Sequence, residues 1–164
     1  MSVGLAAFTL VHVAISLIGI FSGFVVVFGM LGAKRMDGWT ALFLTTTVLT
    51  SVTGFLFPFH KFLPSHGVGI ISLILLTIAI YARYPRDLAG GWRSAYVSTA
   101  VISLYLNVFV LIVQMFLKVP ALKAIAPTQT EPPFKIAQLA VLLLFILLGI
   151  FATIRFRVGP RRAA

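Results

Sequence analysis

The sequence predicts an all-α integral membrane protein, a bundle of five transmembrane helices in a single domain, residues 1–164. Of the 164 residues, 60% are hydrophobic and only 10% are charged, whereas soluble proteins carry roughly 25% charged residues. The apolar residues are gathered in five long segments joined by short polar links. A helix needs roughly 20 apolar residues to cross a bilayer, and each segment is close to that length or longer. The lipid bilayer is therefore the expected surrounding of most of the chain.

The first predicted helix, about 3–32, contains no charged residue. Its His12, Ser16, Gly19 and Gly23 follow one another at helical spacing and so form one stripe. Gly19 and Gly23 make a GxxxG pair, which lets a second helix backbone approach closely. We expect this stripe, and His12 with it, to face the interior of the bundle.

The second and third predicted helices, about 39–60 and 66–84, are separated by the helix-breaking Pro64. One face of the second helix carries small or weakly polar residues, namely Thr46, Thr50, Thr53 and Gly54. Such faces are typical of helix contacts inside membranes, where hydroxyl groups form hydrogen bonds. This face is therefore expected to point towards the other helices.

The fourth predicted helix, about 95–117, carries two amide side chains, Asn107 and Gln114, on one face. An amide in hydrocarbon needs several hydrogen-bond partners. Together with Ser16 and Thr50 the amides are expected to line a polar cavity, or to hold the carbonyl group of a quinone. The alternative is that these side chains only help the helices to pack.

The fifth predicted helix, about 134–156, consists almost entirely of Leu, Ile, Val, Ala and Phe. We expect it to be peripheral and to face lipid, because it offers few polar groups to neighbouring helices. The connection before it, residues 118–133, is the longest in the chain and contains four prolines, so a loop is predicted there.

The basic residues predict an N-terminus outside and a C-terminus in the cytoplasm. In that orientation nine of the 13 Lys and Arg residues lie inside, namely Lys34, Arg35, Arg83, Arg86, Arg93, Arg155, Arg157, Arg161 and Arg162. The other four lie outside, namely Lys61, Lys118, Lys123 and Lys135. An excess of basic residues on the cytoplasmic side is the usual signal for orientation. The net charge of +10 is thereby explained without a nucleic-acid partner, and a bacterial inner (plasma) membrane is the expected location.

The three histidines, His12, His60 and His66, all fall in the outer half of the predicted bundle. Neutral imidazole binds haem iron, copper and zinc. The sequence therefore predicts a cofactor site near the outer face, in which two of the histidines ligate a haem b or all three hold a metal such as a copper ion. A histidine-bearing bundle of four or five helices is similar in outline to the small membrane cytochromes b, a resemblance of architecture that assigns no ligand positions.

Three functions stay open at this point. The first is a redox protein that binds haem b or a metal and exchanges electrons with a quinone. The second is a non-catalytic accessory subunit that packs against other membrane subunits through its stripes of small residues. The third is a channel or carrier for a small neutral or lipophilic solute, lined by Thr50, Asn107 and Gln114.

Other function classes lack support in the sequence. No Asp, Glu, Lys or Arg lies in the hydrocarbon part of a predicted helix, although coupled ion transporters usually need such groups. The chain contains no cysteine, which excludes thiolate chemistry and iron–sulfur clusters. It also shows no paired carboxylates, nucleophile with its base, or glycine-rich phosphate loop, so no catalytic residues are predicted.

Overall fold

The computed structural model describes residues 3–58 and 64–160, and within these ranges the chain forms six helices and no strand. The helices are α1 (Val3–Leu31), α2 (Asp37–Gly54), α3 (Pro64–Arg83), α4 (Trp92–Lys118), α5 (Pro120–Ile125) and α6 (Pro132–Arg155). Four of them in the described ranges, α1, α3, α4 and α6, are long and apolar enough to cross a membrane. These four helices indicate an integral membrane protein.

The prediction of five helices was wrong, because the structure contains a sixth. The extra helix, α5, begins with Pro120 at its first position and has six residues. Proline is favourable at that position because its fixed φ angle suits a helix start. The same proline, with three others nearby, led us to predict a loop for the whole connection.

The second helix is also shorter than predicted and less apolar than the others. It ends at Gly54 rather than near residue 60, and residue 60 itself lies outside the described ranges. The amides of Phe55 and Leu56 bond to carbonyls three residues earlier, which tightens and closes the last turn. Pro58 follows, and a proline disfavours helical geometry in the residue before it.

Helices α1 to α4 form a closed bundle. In it α1 packs on α2, α2 on α3, α3 on α4, and α4 on α1. Helices α1 and α3 therefore stand at opposite corners. Helix α6 lies outside the four, against α1 and α4, and its only buried residues are Phe145 and Ala152. The expected peripheral position of this last helix is confirmed.

Gly23 marks a close approach of α1 to both α2 and α4. A Cβ atom at this position would lie 2.6 Å from Cδ1 of Leu104 on α4 and 2.9 Å from Cε2 of Phe43 on α2. Both Gly19 and Gly23 are buried. The stripe of small residues on α1 therefore faces the bundle, as predicted.

The turns α1–α2 and α3–α4 lie at the same end of the bundle, together with the residues that follow α6. Arg35 joins all three, because its Nη2 donates to Asp87 Oδ1 at 2.6 Å and its Nη1 donates to the carbonyl of Gly159 at 3.1 Å. We call this the basic end, defined by residues 32–37, 84–91 and 155–160. Helix α2 starts there and ends beside the start of α3, so it runs the length of the bundle.

Candidate functional site

A cavity of about 500 Å³ lies between α1, α2, α3 and α4, at the end of the bundle opposite the basic end. Each of the four helices contributes polar side chains to its lining. Among them are His12, Ser16, Thr50, His66, Asn107, Gln114 and Lys118. Six of these were predicted from the sequence as site residues. The seventh predicted residue in the set, His60, lies outside the described ranges.

His12 is held in a defined orientation by Thr53 of α2. The Nδ1 atom of His12 lies 2.8 Å from Thr53 Oγ1. With the single proton of the Thr53 hydroxyl on the carbonyl of Leu49, which lies 2.7 Å from Oγ1, the hydroxyl accepts at His12 and Nδ1 carries the proton. In the neutral ring the Nε2 atom then keeps its lone pair. His12 therefore offers Nε2 as a ligand or hydrogen-bond acceptor.

His66 enters the cavity from the first turn of α3. The side chain is buried, with 6% of its surface exposed, and its ring stacks on Phe55 at a centroid distance of 5.8 Å. Phe55 in turn fits against Gly69, where an added Cβ would lie 2.9 Å from Phe55 Cζ. His66 is therefore an interior side chain of the bundle, a placement that the sequence left undecided.

The amide of Asn107 provides an unused donor in the cavity wall. Its Nδ2 atom is buried and has no hydrogen-bond partner among the residues described. Gln114 lies two turns further along α4 and lines the same cavity. Buried donors without a partner are uncommon because they lose their hydration without compensation. Asn107 is thus ready to donate to a guest molecule or a water.

The hydroxyl groups of Ser16, Thr50 and Ser51 at the cavity are already used as donors. Ser16 donates to the carbonyl of His12 at 2.8 Å, Thr50 to that of Thr46 at 2.9 Å, and Ser51 to that of Thr47 at 3.0 Å. Each bond runs back four residues along its own helix, which is the usual arrangement for hydroxyls in apolar surroundings. These oxygens can still accept hydrogen bonds, but they have no proton left to give.

The sequence missed part of the site. Lys118 and Ser72 also line the cavity, and Lys118 is exposed at its rim. Lys118 had only been interpreted as a topological charge, because its distance from His12 along the chain gave no sign that the two share a cavity. The spacing of Gln114 and Lys118 on one helix face was the signal that was available.

A metal site built from the three histidines is not visible in the described residues. Within residues 3–58 and 64–160 no group of three or more His, Asp or Glu side chains is placed to hold a metal ion. A three-histidine site would require His60, which falls outside those ranges. The described residues bring two imidazoles, those of His12 and His66, to one cavity.

A second, almost entirely apolar groove of about 460 Å³ lies between α4 and α6. Its polar lining groups are the hydroxyls of Ser98, Tyr105 and Thr153, which stand among aliphatic and aromatic side chains. No imidazole, carboxylate or amine lines the groove, so it provides no chemistry comparable to that of the histidine cavity.

Comparison with protein-family models, with curated proteins and with solved structures finds no match for this chain. The case for a function therefore depends on the geometry of the histidine cavity.

Proposed function

We propose that the protein is a small membrane redox protein that binds haem b in the histidine cavity, where His12 and His66 would hold the iron. The observation that carries this proposal is the position of the two imidazoles. They come from α1 and α3, the opposite corners of the bundle, and line the same cavity. Helical bundles build cofactor sites in this way, from side chains that project inward from facing helices.

The state of His12 supports ligation. A metal-bound histidine usually donates its second ring N–H to a neighbouring oxygen, which fixes the ring and makes the other nitrogen more basic. Thr53 is such a partner for Nδ1 of His12, and it leaves Nε2 for iron. The hydrogen bond therefore fixes the orientation of the His12 ring before any cofactor binds.

The remaining cavity wall suits a flat, apolar macrocycle with acidic substituents. Phe55, Phe57 and Met115 contribute apolar surface, and the Phe57 ring meets His12 edge-on at 5.0 Å. The volume is within the range of about 300–1,000 Å³ that is usual for small-molecule sites. Lys118 at the rim would pair with a carboxylate of the macrocycle. The bound iron would supply one-electron redox chemistry.

The test is an absorption spectrum of the detergent-purified protein, first oxidised and then reduced with dithionite. We expect a Soret band and sharper visible bands on reduction. His12→Ala and His66→Ala should each abolish low-spin haem, whereas His60→Ala, the matched control, should retain it. A wild-type protein that takes up no haem on titration would refute the proposal, and so would a spectrum that is unchanged in both variants.

A second candidate function, binding of a quinone or similar carbonyl-bearing lipophile, is favoured by the unpartnered Nδ2 of Asn107. That atom would donate to a carbonyl oxygen, while His12 Nε2 would accept from a hydroxyl of the reduced form. Organic extracts of the purified protein, analysed by mass spectrometry, should then contain a quinone. Asn107→Leu should lower its amount, and Thr77→Val, on the lipid-exposed side of α3, should not.

We also propose that the five long helices, α1, α2, α3, α4 and α6, cross the inner membrane of a bacterial cell, whereas the six-residue α5 does not. The N-terminus would lie outside and the C-terminus in the cytoplasm. This topology is supported by α2, which runs the length of the bundle beside α1, and by the basic residues gathered at one end. Because the chain contains no cysteine, single cysteines can report the sides directly. A membrane-impermeant maleimide added to intact cells should label Thr128→Cys and should not label Lys34→Cys.

A further inference from the structure

We infer that the basic end of the bundle binds the phosphate head groups of anionic phospholipids. Arg35 holds three segments of the chain together at this end. Its side chain contacts Asp87 in the α3–α4 turn and the carbonyl of Gly159 after α6, while its own carbonyl accepts a bond of 2.9 Å from Arg83 Nη2. The basic residues of all three segments are thereby brought to one surface.

The carboxylates of the basic end are already engaged by two arginines. Asp37 pairs with Arg83 and lies 3.5 Å from Nε of Arg35, and Asp87 pairs with Arg35 at 2.6 Å. The third acidic residue of the chain, Glu131, lies before α6 and bonds to Thr128 and Thr130 in its own loop. Two arginines and two aspartates therefore cancel in charge.

The remaining cations of this end are solvent-exposed and form no ion pair within residues 3–58 and 64–160. They are Lys34 in the α1–α2 turn, Arg86 in the α3–α4 turn, and Arg155 and Arg157 at the end of α6. Arg86 lies 5.3 Å from the centre of the Trp92 ring. Four exposed cations thus share one surface, on three segments that a neutral ion network holds together.

The location of the basic surface indicates which kind of anion it binds. The surface lies where the apolar helices α1, α3 and α6 meet the aqueous phase, beside the aromatic rings of Trp39, Tyr81 and Trp92, and such rings mark the level of lipid head groups. Exposed basic residues at that level attract anionic lipids, and each adds to the attraction. A phospholipid phosphate therefore fits both the charge and the depth of this surface.

The two tryptophans of the chain, Trp39 and Trp92, lie within two residues of the basic end and provide the probe. The protein is reconstituted into nanodiscs that contain brominated phosphatidylglycerol or brominated phosphatidylcholine at equal mole fraction. Bromine quenches tryptophan fluorescence on contact, so the ratio of quenching measures lipid preference. We expect several-fold stronger association of the anionic lipid, and a preference that falls as ionic strength rises.

The variants isolate the charges. Lys34→Gln combined with Arg155→Gln removes two positive charges from the basic end and should bring the lipid ratio towards one. Lys123→Gln combined with Lys135→Gln removes two charges from the opposite end and should leave the ratio unchanged. A wild-type ratio of one, or equal effects of the two double variants, would overturn the inference. Competition by inorganic phosphate beyond that of chloride at equal ionic strength would assign the surface to free phosphate and overturn the lipid assignment.

Discussion

Arg83 and Asp37 are paired at the basic end of the bundle, with Arg83 almost completely buried at 2% exposure. The guanidinium of Arg83 also lies 5.4 Å from the centre of the Tyr96 ring and donates to the carbonyl of Arg35. The pair ties the start of α2 to the end of α3. Since a buried charge without a partner is very costly, the fold depends on Asp37 at this point.

The first prediction concerns this pair. Asp37→Asn should destabilise the protein by about 1.5–3 kcal/mol, the range for hydrogen bonds to charged groups, because Arg83 loses its counter-charge. Unfolding by increasing mole fractions of sodium dodecyl sulfate in mild detergent measures the change. Lys34→Gln, in the same turn but outside the ion network, is the control and should change the unfolding free energy little. Equal stability of the two variants would show that Asp37 does not hold Arg83.

The second prediction concerns the contact of α1 with α2 and α4. Gly23→Ala should destabilise the bundle by about 1–3 kcal/mol, the usual cost of overpacking, because the new methyl group would meet Leu104 and Phe43. Gly4→Ala provides the control within the same helix, since a Cβ there meets nothing within 4 Å. It should be neutral or slightly stabilising, because alanine favours a helix over glycine. The same detergent titration compares the two, and similar losses would contradict the packing described.

The five long helices were predictable because each appears in the sequence as a long apolar segment that is bounded by charged residues, glycine or proline. The stripe around Gly23 was predictable too, since small residues at helical spacing have few other uses in a membrane. The short helix α5 was not, because six residues show too little periodicity to separate a helix from a loop rich in proline. The ion network around Arg35 was also missed, since nothing in the local sequence of Arg83 indicates that its side chain turns inward.

The cavity could be predicted in its composition but not in its shape. His12 and Asn107 were expected to face the interior from the stripes that they belong to. That His66 joins them was not decidable, because a residue in the first turn of a helix can point to solvent or to the core. The bond between His12 and Thr53 joins residues 41 positions apart, and no pattern within one helix contains that information.

The third prediction concerns the loop before α6 and its response to pH. Desolvation acts to raise the pKa of Glu131, but hydrogen bonds from Thr128 and Thr130 outweigh it, and the pKa lies below its usual value. A lowered pKa means that the bonds stabilise the loop above the pKa of the unfolded chain and are lost as the pH falls through the pKa of the folded state.

Hydrogen exchange at the amides of Thr128 and Thr130 provides the measurement, after correction for the intrinsic effect of pH. Protection of both amides should fall on acidification through the acidic range. Glu131→Gln should show low protection at every pH, whereas Asp87→Asn, a carboxylate at the other end of the bundle, should leave the pH dependence intact. Protection that is constant with pH in the wild type would disprove the role of the carboxylate.

The fourth prediction tests Thr53 as the group that prepares His12. Thr53→Val keeps the shape of the side chain but removes the oxygen that accepts from Nδ1, so His12 loses its fixed tautomer and orientation. Loss of such a supporting bond typically lowers affinity for the bound group about 10–100-fold. Haem titration of the purified protein, followed at the Soret band, should show a loss of this size. Thr45→Val, an exposed threonine of the same helix, should bind as the wild type does. If both variants bind haem equally well, either Nδ1 finds another partner or His12 is not a ligand. The His12→Ala variant separates these two explanations. It abolishes haem binding in the first case and leaves haem binding unchanged in the second.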